Sequence, residues 1–273
     1  MSPGETYDAM RAASYWSVAR HEAGDELNSV LSQGEPRAVN EAYDAWETGL
    51  LLEAIEGVPL RRGLDLGVGT GRVALRLSPR IRIVGGDLAP GMLDRARRKA
   101  RGAGVRHLDL VRLRSDQLPF GDGSFDLVVC LGLLEHLPPG VRAATLRECA
   151  RVLGPGGLLL VAVNNESSDL LRDPADNPYR DGIQHESGYY CAVLGERALL
   201  EETREQFTGR ILGSNLFYSL HRHASLKLSE RERGSERLRP FFERAAAWDV
   251  ALRPQGPLAT SAADHHLHLL VRR

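Results

Sequence analysis

The chain has 273 residues, 42% of them hydrophobic and 26% charged, with a net charge of −1 and three cysteines. That length buries a full core and suits one large domain, or a domain with a cap. A near-neutral total excludes the global basic field that gathers nucleic acid or acidic lipid, and Cys130, Cys149 and Cys191 are spaced neither as a metal knuckle nor as a disulfide framework.

Residues 1 to about 58 read as helices, with Tyr15, Trp16, Tyr43, Trp46 and Leu50 to Leu52 as buried points. This first part, 1–59, holds eleven carboxylates against three arginines, a net of −8, so the rest of the chain is correspondingly positive. The opening MSPGETYDAM has neither the basic start nor the apolar run of a secretory leader, and LLLVAV is strand-length rather than bilayer-length. A cytoplasmic location without a membrane partner is expected. From Gly63 onward short apolar runs alternate with helical stretches. GLDLGV reads as a buried strand, GRVALRL as a helix start and IRIVGGDL as a second strand. PGMLDRARRKARG is a helix, with Pro90 in its first turn and Gly102 at its stop. HLDLVRLRSD and SFDLVVCLG follow as strands, GVRAATLRECARVL as a helix, and GLLLVAV as a strand after the turn GPGG. Strands separated by helices predict a doubly wound, mostly parallel α/β sheet covered on both faces.

Residues 164–190 are polar and too long for a simple connection, which marks a functional segment. GERALLEETREQF then reads as a helix, GRILGSNLFYSL as a strand, Ser229 to Leu252 as a charged helical stretch, and HLHLLV as the last strand. The expected division is a helical cap, 1–59, on a core of 60–273, with 164–190 and about 222–262 as insertions over the substrate.

The run LDLGVGTGR, Leu64–Arg72, poses the question of the ligand. A dinucleotide loop carries G-x-G-x-x-G, its third glycine admitting the helix close to the strand. Here Gly67, Gly69 and Gly71 give G-x-G-x-G, and Arg72 stands in the third glycine's place. Asp65 sets a carboxylate beside the loop, which repels a pyrophosphate and suits a ligand with an ammonium and a sulfonium. Asp87 ends the second strand, where a carboxylate accepts from ribose hydroxyls, and Asp116 in RSDQLPF ends the third.

With FDLVVCLGLLEHL and LRECARVLGPGGLLLVAV following at short spacing, residues 62–163 resemble the class I S-adenosylmethionine-dependent methyltransferases of the common small-molecule type. The resemblance implies a Rossmann-like core, S-adenosylmethionine as cofactor, and roles for individual residues. Asp65 and the backbone of Gly67 and Gly69 would hold the methionine part, with Gly71 opening the helix. Asp87 would bind the ribose, Leu88 and Met92 border the adenine, Asp116 and the Gln117 backbone read its edge, and Leu131 lie under the methionine. The nucleic-acid amino-methyltransferases of the family carry Pro-Pro-aromatic after the fourth strand; this chain has LGLLEH, so a small-molecule acceptor is expected.

Methyl transfer needs two partners held in line and, for an oxygen nucleophile, a base. Glu135 and His136 follow the fourth strand, although a histidine there also suits a packing role, and the long segment adds His185. The same segment offers Glu166, Asp169, Glu186 and Tyr189 as acceptor contacts. Its net charge of −4, with the acidic cap, would focus a field on a cation. The expectation is therefore N-methylation of an amino sugar or aminoglycoside, of the kind met in antibiotic biosynthesis. O-methylation of a neutral or phenolic metabolite is the alternative; a cofactor-binding module without turnover and a nicotinamide dehydrogenase stand further off. The oligomeric state is open.

Overall fold

In the computed structural model the described residues are 7–18, 27, 29–31, 35–165, 183–184 and 189–273. The chain runs through α1 (Ala9–Ser17), α2 (Arg37–Ala54), β1 (Arg62–Leu66), α3 (Ala74–Leu77), β2 (Arg82–Asp87), α4 (Pro90–Gly102), β3 (Leu108–Arg112) and β4 (Phe125–Cys130). After a 3-10 turn, Leu134–His136, come α5 (Pro139–Val152), β5 (Leu153–Asn164), β6 (Ile183–Gln184) and β7 (Tyr190–Cys191). The last elements are α6 (Glu196–Thr203), β8 (Phe207–Ser214), α7 (Leu216–Ser225), α8 (Glu230–Arg233), α9 (Arg239–Leu252), α10 (Pro257–Ala262) and β9 (His265–Arg272).

Seven strands form one sheet in the order β3-β2-β1-β4-β5-β9-β8. The five from β3 to β5 are parallel, and β9 joins β5 and β8 antiparallel. Apolar side chains leave both faces. One core joins Leu127 and Leu160 to Trp46 and Leu50 of α2 and Phe242 of α9; the other joins Leu64 and Leu159 to Leu146 of α5 and Leu199 of α6. Strands buried on both sides explain the unbroken apolar runs of β4 and β5. The strand order reverses between β1 and β4, and in such sheets the crevice at the carboxyl ends of those strands is where ligands bind.

Three expectations change. Residues 209–220 do not make a single strand: β8 stops at Ser214, and a helix begins at Leu216 because Asp249 of α9 accepts from the Phe217 and Tyr218 N–H groups, 2.8 Å each. The charged stretch from Ser229 divides into α8 and α9. The GPGG turn lies inside β5, where the register jumps from Phe125↔Leu153 to Leu127↔Leu158 and Gly156 takes φ +76°. Of the aromatic points in the first part, Trp46 is buried with Leu50 and Leu51, whereas Tyr15, Trp16 and Tyr43 are half-buried. Among the described residues no helix is long and apolar enough to cross a membrane.

Candidate active site

The glycine loop leaves β1 with Gly67, Gly69 and Gly71 at φ +79°, +51° and +83°, a conformation that side-chain-bearing residues rarely adopt. The Gly67 and Val68 N–H groups donate to the Gly86 carbonyl at the end of β2, at 2.8 and 3.0 Å, which folds the loop back over the sheet. Asp87 fixes it further: its Oδ2 accepts from Gly69 N–H at 2.8 Å and its Oδ1 from Ala89 N–H at 2.9 Å. A Cβ on Gly69 would stand 3.1 Å from Val30 Cγ1.

The loop floors a cleft whose walls include Asp65, Gly67, Gly69, Asp87, Leu88, Met92, Asp116 and Leu131. Eight of the ten residues expected at the cofactor thus converge. The other two stand elsewhere. Gly71 faces Ala96 and Leu75, where an added Cβ would make ordinary contact at 3.5 Å, so its φ of +83°, and not a close approach, calls for glycine there. Gln117 is exposed and outside the cleft wall, with its N–H turned to the Arg114 carbonyl at 3.4 Å. Asp116 is oriented by a fork from Arg114, Nε at 3.0 Å and Nη2 at 2.7 Å.

Asp65 is 3% exposed, and its Oδ2 has no hydrogen-bond partner among the described residues. Burial pushes its carboxyl up to about 7, against the lowering influence of Arg72. Burial also raises Asp87, offset in part by the backbone N–H groups it accepts from. An orphaned buried acceptor beside a floor without side chains is a fit for an aminoacyl ammonium and the chain that carries it.

Above the cleft stands an aromatic wall. Residues Tyr15 and Trp16 come from α1, His136 from the 3-10 turn after β4, and Tyr189 from just before β7. Trp16 meets His136 edge-on at 5.0 Å and Tyr189 at 5.9 Å, Tyr189 lies 5.2 Å from His136, and Tyr15 lies 4.7 Å from Tyr189. His136 Nδ1 is 3.2 Å from the Tyr190 carbonyl. A carbonyl only accepts, so Nδ1 carries the proton and Nε2 is the basic nitrogen of the neutral ring. Trp16 and His136 both line the cleft. Glu135 does not line it: it is half-buried on the side of Tyr43 and Glu47, and burial pushes its carboxyl up to about 7. His185, Glu166, Asp169 and Glu186 lie outside the described residues, and no described residue of 222–262 lines the cleft. Sequence reasoning placed Tyr189 at the site but gave Tyr15 and Trp16 a core role. Their adjacency on α1, a half-polar helix, was the available signal.

Residues 64–157 match the family model described as a methyltransferase domain. This stretch is a methyltransferase domain, and what the chain resembles is the class I S-adenosylmethionine-dependent methyltransferases. It is 38% identical over 142 residues to a demethylmenaquinone methyltransferase of Deinococcus radiodurans, covering 50% of this chain and 54% of that protein. The chain spans about half the length of the first curated relatives it matches. It is 29% identical over 255 residues to a 27-O-demethylrifamycin SV methyltransferase of Amycolatopsis mediterranei, covering 90% of this chain and 83% of that one. Its fold is similar to the crystal structure of a magnesium protoporphyrin IX methyltransferase from Synechocystis PCC 6803 with bound SAH, at TM-score 0.61 and 14% identity, over 97% of this chain and 100% of that chain. S-adenosylmethionine is the cofactor of this family, and the cleft fits it.

Proposed function

We propose that this protein is a methyltransferase that places the methyl group on a hydroxyl of a small, flat, largely apolar acceptor. The observation that carries the reading is the aromatic wall with His136 set in it, its Nδ1–H given to the Tyr190 carbonyl, which makes Nε2 the nitrogen with the basic lone pair. Bound S-adenosylmethionine supplies an electrophilic methyl group on a sulfonium. Asp65 and the Gly67–Gly69 backbone would hold its methionine part, Asp87 its ribose, and Leu88, Met92 and Asp116 its adenine. Tyr15, Trp16 and Tyr189 would clamp the acceptor's flat face and exclude water, and His136 Nε2 would take the hydroxyl proton. In this reading residues 1–59 are the cap over a core of 60–273, with 164–190 closing the acceptor's side.

Two facts favour oxygen and a flat acceptor over an amino sugar. The rifamycin relative, aligned with most of this chain, is named for a 27-O-demethyl substrate, which supports oxygen. The shorter matches are named for demethylmenaquinone or as menaquinone-pathway C-methyltransferases, which supports a flat acceptor and not the oxygen. Among the described residues of the acidic cap, five of the seven carboxylates are paired with arginine. Glu35 binds Arg222 and Arg233, Glu41 binds Arg37 and Arg239, Asp44 and Glu47 bind Arg72, and Glu53 binds Arg253. Charges neutralised in place focus little field on a cation, so the described part of the cap lends an amine acceptor little beyond the rings, which also attract cations.

The test is labelled cofactor with a panel of phenols, hydroxyquinones and aminoglycosides, with the methylated atom located by mass spectrometry. Methyl on oxygen of a flat acceptor is expected, and methyl on nitrogen or carbon overturns the reading. His136→Gln should cut kcat by ~10²–10⁴-fold at neutral pH and recover as pH approaches the acceptor's own pKa. A loss independent of pH would return His136 to a packing role.

A further inference from the structure

Arg72 stands where a dinucleotide loop has its third glycine, and its side chain is only 9% exposed. Two carboxylates of α2 hold its guanidinium: Asp44 Oδ1 is 2.9 Å from Nη1, and Glu47 Oε2 is 2.6 Å from Nη2. Asp44 also binds Arg76 Nη2 at 2.5 Å, which anchors it twice. Arg72 and Asp65 both line the cleft, and the Asp65 oxygen Oδ2 has no hydrogen-bond partner among the described residues. A buried carboxyl without bonds at that oxygen favours its neutral form unless a cation opposes this.

We propose that Arg72 is a positioning residue: held by α2, it raises the share of Asp65 that is anionic at neutral pH, so that the cleft offers more charge to a cationic ligand group. This rests on the cofactor reading above. The groups that act on Asp65 are few. Arg72 is the strongest influence lowering its pKa, the Ala74 N–H from the start of α3 is the next, and Asp87 of β2 and Glu47 of α2 raise it. The Cys130 thiol at the end of β4 is also close enough to interact, and burial holds it protonated. Against burial, these leave Asp65 at about 7, so near neutral pH the carboxyl is divided between its two forms. An arginine is suited to the task because it never gives up its own proton. The cap helix thereby bears on the cofactor loop without touching the ligand.

The experiment follows the Asp65 carboxyl by carbon-13 NMR in the cofactor-free protein, with calorimetric binding of S-adenosylmethionine and S-adenosylhomocysteine from pH 6 to 9. In Arg72→Met the Asp65 titration should rise by about one pH unit or more. Cofactor affinity should fall about fivefold or more near pH 7 and approach the wild-type value at the alkaline end. Arg72→Lys should restore most of both, and Glu47→Gln should move the Asp65 titration the opposite way. If Arg72→Met does not fold, Arg72→Met/Glu47→Gln removes the stranded carboxylate, and the titration should still rise because Arg72 outweighs Glu47 at Asp65. An unmoved Asp65 titration, or an equal loss of affinity at every pH, overturns the proposal. Wild-type protein that binds neither cofactor form overturns the cofactor reading instead, and the titration of Asp65 still decides the role of Arg72.

Discussion

Asp87 illustrates how much one carboxylate at a strand end carries. Expected as a ribose acceptor, it also ties the glycine loop to α4, with one oxygen on Gly69 N–H and the other on Ala89 N–H. Each carboxylate oxygen has a second lone pair, so the structural bonds leave capacity for ligand hydroxyls. Asp87→Ala should therefore weaken S-adenosylmethionine binding by about 1.5–3 kcal/mol, the range for hydrogen bonds to a charged group. Calorimetry with cofactor alone measures it, and unchanged affinity in a folded variant removes Asp87 from the site. NADH should show no comparable binding. The position of Asp87 was legible because strand, glycine loop and acid fall in fixed order; its bond to Gly69 was not, because it depends on how far the loop folds back over Gly86.

At the scale of elements, the parallel half of the fold was legible and the carboxyl-terminal half less so. Helix α4 begins with Pro90 and ends with Gly102, local signals that need no tertiary partner. Helix α7 has no side-chain cap of its own: Asn215 precedes it without bonding its N–H groups, and Asp249, 32 positions beyond Phe217, does so instead. A stretch such as LFYSL carries as much strand as helix propensity, so a distant carboxylate decides the outcome. Asp249→Ala should cost about 1–2 kcal/mol and loosen α7 first. Hydrogen exchange at Phe217 and Tyr218 should speed up more than in β1 or β4, and a uniform increase across the sheet would deny the cap. The aromatic wall was illegible for the same kind of reason. Tyr15, Trp16 and Tyr189 are more than 170 positions apart at the extremes, and only packing of α1 on α4, anchored by Ser17 Oγ accepting from Gly91 N–H at 3.2 Å, brings them over the cleft.

Across the whole molecule, buried titratable groups divide into two opposed sets. His265, His266 and His268 of β9 are pushed down to about 4 by burial, and Asp65, Glu135 and Asp249 are pushed up to about 7 by the same cause. Between pH about 4 and 6.5 the unfolded chain binds protons at the histidines that the folded chain refuses, so these cost stability as pH falls. In an overlapping window the folded chain keeps protons on the carboxyls that the unfolded chain has lost, so these add stability as pH falls; the half-exposed Glu135 counts for less. The two slopes oppose, and the stability of the wild-type protein should change little between about pH 4.5 and 6, the middle of that window. Removing one member exposes the balance. His268 is 1% exposed, and neither ring nitrogen has a hydrogen-bond partner among the described residues. His268→Leu should stabilise the fold by about 1–2 kcal/mol at pH 7, by deleting unsatisfied buried polar atoms. Its advantage should then widen on acidification below pH 6.5, by at most about 1.4 kcal/mol per pH unit, and stop widening near pH 4, where folded His268 itself takes a proton. Urea unfolding of both proteins at half-unit intervals reads this difference directly. A gap that stays constant with pH would mean that His268 is not held neutral, and a wild-type curve falling steeply with acid would mean that the carboxyls do not offset the histidines.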